Sequence, residues 1–209
     1  MQYQIIPVTP YQQNCSLISC PQTAVSAFVD PGGDIDRLVD ALQKSATNLQ
    51  KILLTHGHLD HVGAARLLAD RFGVPIIGPH SADAYWLQAL GQQAQMFGFE
   101  DLAPFLPDQW LNDGDTVQVG EQVLSVLHTP GHTPGHVVFY HRENQLAFVG
   151  DVLFQSSIGR TDFPGGDYDT LIHSIKHKLL PLGDDVSFVP GHGPMSTFGK
   201  ERLHNPFLK

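Results

Sequence analysis

Short apolar or β-branched runs dominate the first third of the chain. Gln4–Val8, Asn14–Ile18 and Val25–Asp30 are separated by Pro, Asn and Gly, a pattern that predicts strands. Asp30-Pro31-Gly32-Gly33 predicts a turn. Asp34 can then cap a helix in which Ile35, Leu38, Val39 and Leu42 fall at helical spacing. Gln50–Leu54 predicts a short strand that ends at Thr55. From His61 to about Phe72, the residues Val62, Ala65, Leu68, Ala69 and Phe72 share one side of a second helix, which Gly73 ends. Val74–Ile77 reads as a strand and Ala82–Ala89 as a short helix. Gly91–Leu111 mixes Gly, Pro and aromatic residues and is expected to be an irregular loop that can bear on a ligand.

In the second half, Asp113-Gly114-Asp115 predicts a turn between strands. Val123–Leu127, Val137–Tyr140 and Leu146–Val149 form a further set of strands, and Val186–Val189 is the last. Between them, Tyr168, Leu171, Ile172, Ile175 and Leu179 mark a helix that starts near Asp167 and stops at Pro181. No repeat or linker divides the chain, so residues 1–209 are expected to form one domain. Strands that first pair and then alternate with helices fit an α/β architecture of two sheets covered by helices on their outer faces.

Composition narrows the function. With 42% hydrophobic and 16% charged residues the chain reads as globular. Its net charge is -9, it carries only 12 Lys and Arg, and no basic stripe stands out. Nucleic acid and anionic lipid are therefore disfavoured as partners. No apolar window is long enough for a membrane span, and Met1–Pro7 lacks the basic start of an export signal, so a cytoplasmic location is expected. Cys15 and Cys20 read as ordinary thiols. The one unusual feature is the 12 histidines.

Some of these histidines are arranged for chemistry. Thr55-His56-Gly57-His58-Leu59-Asp60-His61 follows an apolar strand and opens a helix. Residues two apart at a strand end point the same way, so His56 and His58 can converge on one ion while Asp60 and His61 face another. Asp60 can also act as an N-cap. His132 lies in the Pro/Gly-rich loop Thr129–Gly135, Asp151 follows the strand Leu146–Val149, and His192 follows Val186–Val189. Ligand-type residues at several strand ends are the pattern of a metal site. His80, His128, His136, His141, His173, His177 and His204 are read instead as surface or hydrogen-bonded residues.

The His-x-His-x-Asp-His string, the later Gly-His, Gly-Asp and Gly-His elements, and their order resemble the metallo-β-lactamase superfamily from about Cys15 onward. The resemblance implies an αββα sandwich with two mixed sheets and a binuclear site at one edge. His56, His58 and His132 would hold one ion, Asp60, His61 and His192 the other, and Asp151 would bridge. Zinc is the first expectation for both ions, with iron or manganese as alternatives. Asp30–Gly33, Phe154–Gly166 with its Gly159-Arg160-Thr161-Asp162-Phe163, and the tail Glu201–Phe207 are similar to the glyoxalase II branch, in particular to short bacterial type II glyoxalases. These are hydroxyacylglutathione hydrolases, which convert S-lactoylglutathione to lactate and glutathione in methylglyoxal detoxification. The C-terminal helical domain that helps longer members hold glutathione is not expected here. Asp162 stands where they have Tyr, and Gly193-Pro194 where they have Glu-Tyr. Arg160 alone matches a glutathione-contacting position, and it reads equally as a partner of Asp162.

The implied chemistry needs no serine or cysteine nucleophile. A water between two dications ionises near neutral pH and can attack a thioester carbonyl, with Asp60 and Asp151 as the catalytic carboxylates. The expected partner is a small thioester, with no obligate protein partner. A rival is an iron persulfide dioxygenase, which Gly159–Phe163 also resembles and which would use one iron held by His56, His132 and Asp151. Other thioesterases, lactonases and β-lactamases on the same fold, and a non-catalytic metal-binding scaffold, complete the alternatives.

Overall fold

The computed structural model describes residues 1–99 and 102–209. The first sheet places β1 (Gln2–Val8), β2 (Gln13–Cys20), β3 (Val25–Val29), β4 (Asn48–Leu53) and β5 (Ile76–Ile77) side by side in that order. Its first two pairings are antiparallel and its last two parallel. The chain then forms β6 (Thr116–Val119), β7 (Gln122–His128), β8 (Val137–His141) and β9 (Leu146–Gly150), a small ribbon of β10 (Leu153–Phe154) and β11 (Ser157–Ile158), and finally β12 (Ser187–Pro190) and β13 (Ser196–Thr197). The second sheet runs β13-β12-β9-β8-β7-β6, with β12 parallel to β9 and the other pairs antiparallel.

The period-two pattern explains how the layers stack. Ile18, Ala27, Val29 and Leu53 of the first sheet meet Val126, Phe139, Phe148 and Val189 of the second, forming the core between the sheets. Their sequence neighbours Leu17, Phe28 and Ile52 point the other way, against Leu38, Leu42 and Leu68. Those residues come from α1 (Ile35–Ser45) and, beyond the short α2 (Leu59–Val62), from α3 (Ala65–Phe72). On the opposite outer face, Val138, Ala147, Val149 and Phe188 pack against Leu171, Ile175 and Phe198. The result is helix, sheet, sheet, helix, the expected αββα sandwich. Burying each large apolar side chain contributes roughly 1.5–3 kcal/mol, so three apolar layers make a stiff frame. Among the described residues no helix is long and apolar enough to cross a membrane.

Several local expectations need correction. The helix from His61 to Phe72 is two helices, because Gly63 and Ala64 pack against the Asp30–Gly33 turn, where Pro31 O accepts from Ala64 N. A Cβ on Gly63 would collide with the Gly32 carbonyl. Asp34 does not cap α1: its backbone is left-handed and its carboxylate accepts instead from Thr9 N. The short helix after Val74–Ile77 is present as a 3₁₀ turn leading into α4 (Ala84–Gln88). The stretch Gly91–Leu111 is partly helical, since α5 (Leu90–Phe97) buries Leu90, Gln93 and Ala94 and ends at a left-handed Gly98. Residues 100 and 101 of that stretch lie outside the described residues.

Asp167 does cap α6 (Tyr168–Ser174), accepting from Thr170 N. The helical path then continues through a π turn and a 3₁₀ turn, so Pro181 sits inside it rather than stopping it. The strands β10, β11 and β13 are two residues each, too short to show alternation. The C-terminal α7 (Phe198–His204) is capped by the Thr197 side chain.

α7 is pinned by one buried carboxylate. Glu201 accepts from Ser156 N, Ser196 Oγ and Asn205 Nδ2, joining the helix to the loop between β10 and β11. Replacing it removes the acceptor of the buried Ser196 hydroxyl and of one Asn205 amide hydrogen, and frees the Ser156 N–H. Glu201→Ala is expected to lower stability by ~3 kcal/mol, read from the urea midpoint, and a loss under ~1 kcal/mol would refute the pinning role.

Candidate metal centre

The sequence-derived ligand candidates come from strand ends, a helix start and one inter-strand loop along one edge of the sandwich. His56 and His58 follow β4, and Asp60 and His61 lie in α2, with His58 rather than Asp60 at the N-cap position. His132 sits between β7 and β8, Asp151 directly after β9, and His192 directly after β12. The two sheets are tied together here. Val137 N donates to Thr55 O at 2.8 Å, and Asn14 N donates to Gly191 O at 2.7 Å. Asn14 Nδ2 also donates to Pro190 O and Gly193 O, fixing the loop that carries His192.

The structure brings these side chains into two adjoining groups. His56, His58 and His132 offer ligand atoms within 4.8 Å of one another, and so do Asp60, His61 and His192. Within the first group, His58 Nδ1 lies 3.1 Å from His56 Nε2 and 3.0 Å from His132 Nε2. In the second, His192 Nε2 is 3.1 Å from Asp60 Oδ2. Asp151 stands between them, with Oδ1 3.3 Å from His61 Nε2 and Oδ2 3.6 Å from His132 Nε2 and 3.7 Å from His192 Nε2. A tetrahedral zinc with bonds of about 2.0–2.1 Å would need nitrogens roughly 3.3 Å apart, close to the spacing seen.

Hydrogen bonds on the far side of each ring decide which nitrogen is free. Thr55 Oγ1 donates to Asp30 Oδ2 at 2.6 Å, so it accepts from His56 Nδ1. His132 Nδ1 donates to Arg160 O at 2.7 Å, His61 Nδ1 to Asp30 Oδ2 at 2.9 Å, and His192 Nδ1 to Tyr11 O at 3.1 Å. Each of these rings therefore turns an Nε2 lone pair inward, the outer-partner arrangement of metal-binding histidines. His58 Nε2, His61 Nε2 and Asp151 Oδ1 are buried with no hydrogen-bond partner. Unpaired buried polar atoms are costly, and a cation shared among them is the natural remedy.

Charge states agree with this reading. Burial, reinforced by neighbouring rings, holds His56 and His58 well below the usual imidazole range, and burial also lowers His132. Burial raises Asp151, but His61 beside it, with His132 and His192, outweighs that and keeps the carboxylate ionised. Asp60 is likewise lowered by His61 and His192 against the effect of burial. Burial lowers His61, yet Asp151 and Asp60 raise it well above the ordinary value. In chemical terms, that position demands positive charge, which a metal ion supplies as well as a proton does.

A family model described as the metallo-beta-lactamase superfamily matches residues 8–192. The chain belongs to that superfamily. Hydroxyacylglutathione hydrolase GloC of Haemophilus influenzae is 51% identical, the match covering 100% of this chain and 98% of the relative. Among solved structures, the BLEG-1 B3 metallo-beta-lactamase superposes with a TM-score of 0.91 at 38% identity, covering 99% of each chain. TTHA1623, described in a di-iron-bound form, gives 0.90 at 36% identity and covers 98% of this chain and 100% of its own. Superfamily membership and the His/Asp groups together point to divalent metal as the cofactor.

Two carboxylates beside the site carry no sequence signature of a ligand. Asp30, read only as part of a turn, accepts from Thr55 N, Thr55 Oγ1 and His61 Nδ1, so it orients both halves of the His-x-His-x-Asp-His string. Its position at the end of β3, level with the other strand ends, was the available signal. Asp83 lies beneath the site and accepts from Gly57 N, Thr133 Oγ1 and Gly135 N. It thereby links the loop of His56 and His58 to the loop of His132, and no local motif reveals it. His136, expected to be merely hydrogen-bonded, is buried, stacks on His56 with ring centres 4.8 Å apart, and accepts from Asp151 N. Gly191 passes so close to Asp151 and His61 that a Cβ would overlap both.

Burial pushes the Asp83 carboxyl up to about 6, against the donors that hold it ionised. An unfolded Asp titrates near 3.9, so the folded chain binds this proton more tightly, and Asp83 loses stabilising effect as pH rises from about 4 to above 6. Asp83→Asn turns an NH2 toward backbone donors and is expected to destabilise at every pH. Because Asn does not titrate, the deficit relative to the parent should be larger at pH 5 than at pH 7.5. Urea unfolding at the two values checks this, and the opposite trend would contradict it.

Proposed function

We propose that this chain is a metal-dependent hydrolase of glutathione thioesters that converts S-lactoylglutathione to lactate and glutathione; its 51% identical relative is named a hydroxyacylglutathione hydrolase. The observation that carries the reading is Asp151 standing between two groups of inward-facing ligand atoms. His56, His58 and His132 would hold one divalent ion, Asp60, His61 and His192 a second, and Asp151 would span both. Zinc fits the donor set first. Iron is tested beside it because TTHA1623 is described as di-iron-bound. Bound ions would supply hydroxide near neutral pH and Lewis acidity toward a carbonyl oxygen.

The chain's own residues supply the rest. His56 and His132 keep Nε2 available because Nδ1 is committed to Thr55 and Arg160. Asp60 and Asp151, both ionised and both facing the cavity, accept hydrogen bonds from the attacking water and orient it. As oxygen adds to the thioester carbon and the C–S bond breaks, the thiolate leaves with little need for an acid. Trp86 and Phe163, packed edge-on to His58, exclude bulk water from that side. Arg160 lines the cavity with its guanidinium paired to Asp162. The substrate is a small molecule, and the reaction is assigned to the cytoplasm, where the free thiols of Cys15 and Cys20 persist.

Three outcomes test this reading. The double variant His58→Ala, Asp151→Ala should lose both metal and thioesterase activity. Full metal retention by elemental analysis would refute the ligand set. Arg160 already pairs with Asp162 through Nε and Nη2 at 2.9 and 2.7 Å, so Arg160→Ala should raise KM for S-lactoylglutathione by less than about fivefold. A larger rise would mean a direct carboxylate clamp. Oxygen consumption with glutathione persulfide, accompanied by one iron per chain, would replace the hydrolase with the dioxygenase alternative.

A further inference from the structure

The cavity above the ligand cluster has a volume of approximately 530 Å³. Its character is set by apolar side chains. Trp86 lies 4.5 Å from the His58 ring, and Phe163 lies 5.1 Å from His58 and 6.2 Å from His132. The α4–α5 pair continues this wall outward with Tyr85, Met96 and Phe97. Met96 is 77% exposed and Tyr85 57%, an unusual degree of exposure for apolar groups placed beside a reactive centre. Contiguous apolar surface of this kind marks a ligand site rather than ordinary protein surface.

Charge tells the complementary story. Among the described residues lining the cavity, Arg160 is the sole Lys or Arg. Its guanidinium is engaged by both carboxylate oxygens of Asp162 and lies 4.3 Å from the centre of the Phe163 ring. Glutathione carries two carboxylates, and this wall offers them no uncommitted cation. A lactoyl group, with one methyl and one hydroxyl, leaves most of the apolar surface uncovered.

We infer that the cavity selects thioesters whose acyl group carries a bulky apolar substituent, of about the size of a phenyl ring, next to the carbonyl. The inference rests on the thioesterase reading and adds a substrate class to it. The acyl substituent lies along Trp86 and Phe163 and reaches Tyr85 and Met96, while the charged end of glutathione extends toward solvent.

S-Lactoylglutathione and S-mandeloylglutathione differ only by methyl against phenyl, so their kcat/KM ratio with the metal-loaded enzyme isolates this contact. The ratio of mandeloyl to lactoyl is expected to exceed about 10. In the variant Tyr85→Ser, Met96→Ser it should fall at least about fivefold. Reading variant against parent cancels the intrinsic reactivity of the two esters. Both positions are exposed, so folding should be retained, and metal content checks it. Hydrolysis of the lactoyl ester with no preference for mandeloyl, or a preference unchanged in the variant, overturns the inference while leaving the thioesterase intact. Hydrolysis of neither ester overturns both.

Discussion

The structure is organised around an electrostatic demand that no protein group satisfies. Four imidazole rings donate outward through Nδ1, to Thr55, Asp30, Arg160 and Tyr11, and so turn lone pairs inward. Asp60 and Asp151 add negative charge to the same small volume. Lone pairs facing one another on this largely buried floor repel and lack donors. A pair of cations satisfies them all at once, and the outer hydrogen bonds ensure that the rings cannot turn away.

The sandwich exists to hold that arrangement still. The candidate ligands come from four separated stretches of chain, yet each follows a strand or opens a helix whose neighbours are locked by the three apolar layers. Cross-links at the edge, such as Thr55 O with Val137 N and Gly191 O with Asn14 N, keep the sheets in register where it matters. Asp30 and Asp83 then align the loops: the first braces His61 and Thr55, and the second joins the loops on either side of His58 and His132. The absence of a side chain at Gly191 lets backbone pass against the Asp151 carboxylate, where any Cβ would push the carboxylate out of place.

Above this polar floor the cavity changes character. Its walls are aromatic and aliphatic, and its Arg160 is already matched by Asp162. Reaction chemistry and substrate selection are therefore carried by different forces. Buried charge and metal affinity define where the bond is cleaved. Under the inferred acyl preference, apolar burial, which is non-directional and scales with area, would define what is brought there.

Most of the floor is legible in the chain's local pattern, and little of the wall is. His56, His58, Asp60 and His61 are legible because a strand end and a helix start impose fixed side-chain directions over a few residues. His132, Asp151 and His192 are legible because each follows a recognisable strand or occupies a Pro/Gly loop. The main strands are equally plain, since the short apolar runs of β3, β8 and β9 are those of strands buried on both faces. Three-dimensional packing alone reveals that Asp83 braces loops more than twenty-five residues away on one side and fifty on the other, that α2 and α3 are separate, and that α5 turns an apparent loop into the cavity wall. These are contacts between segments remote in sequence. Local pattern carries no information about them, because their energy depends on where packing of the layers brings the chain.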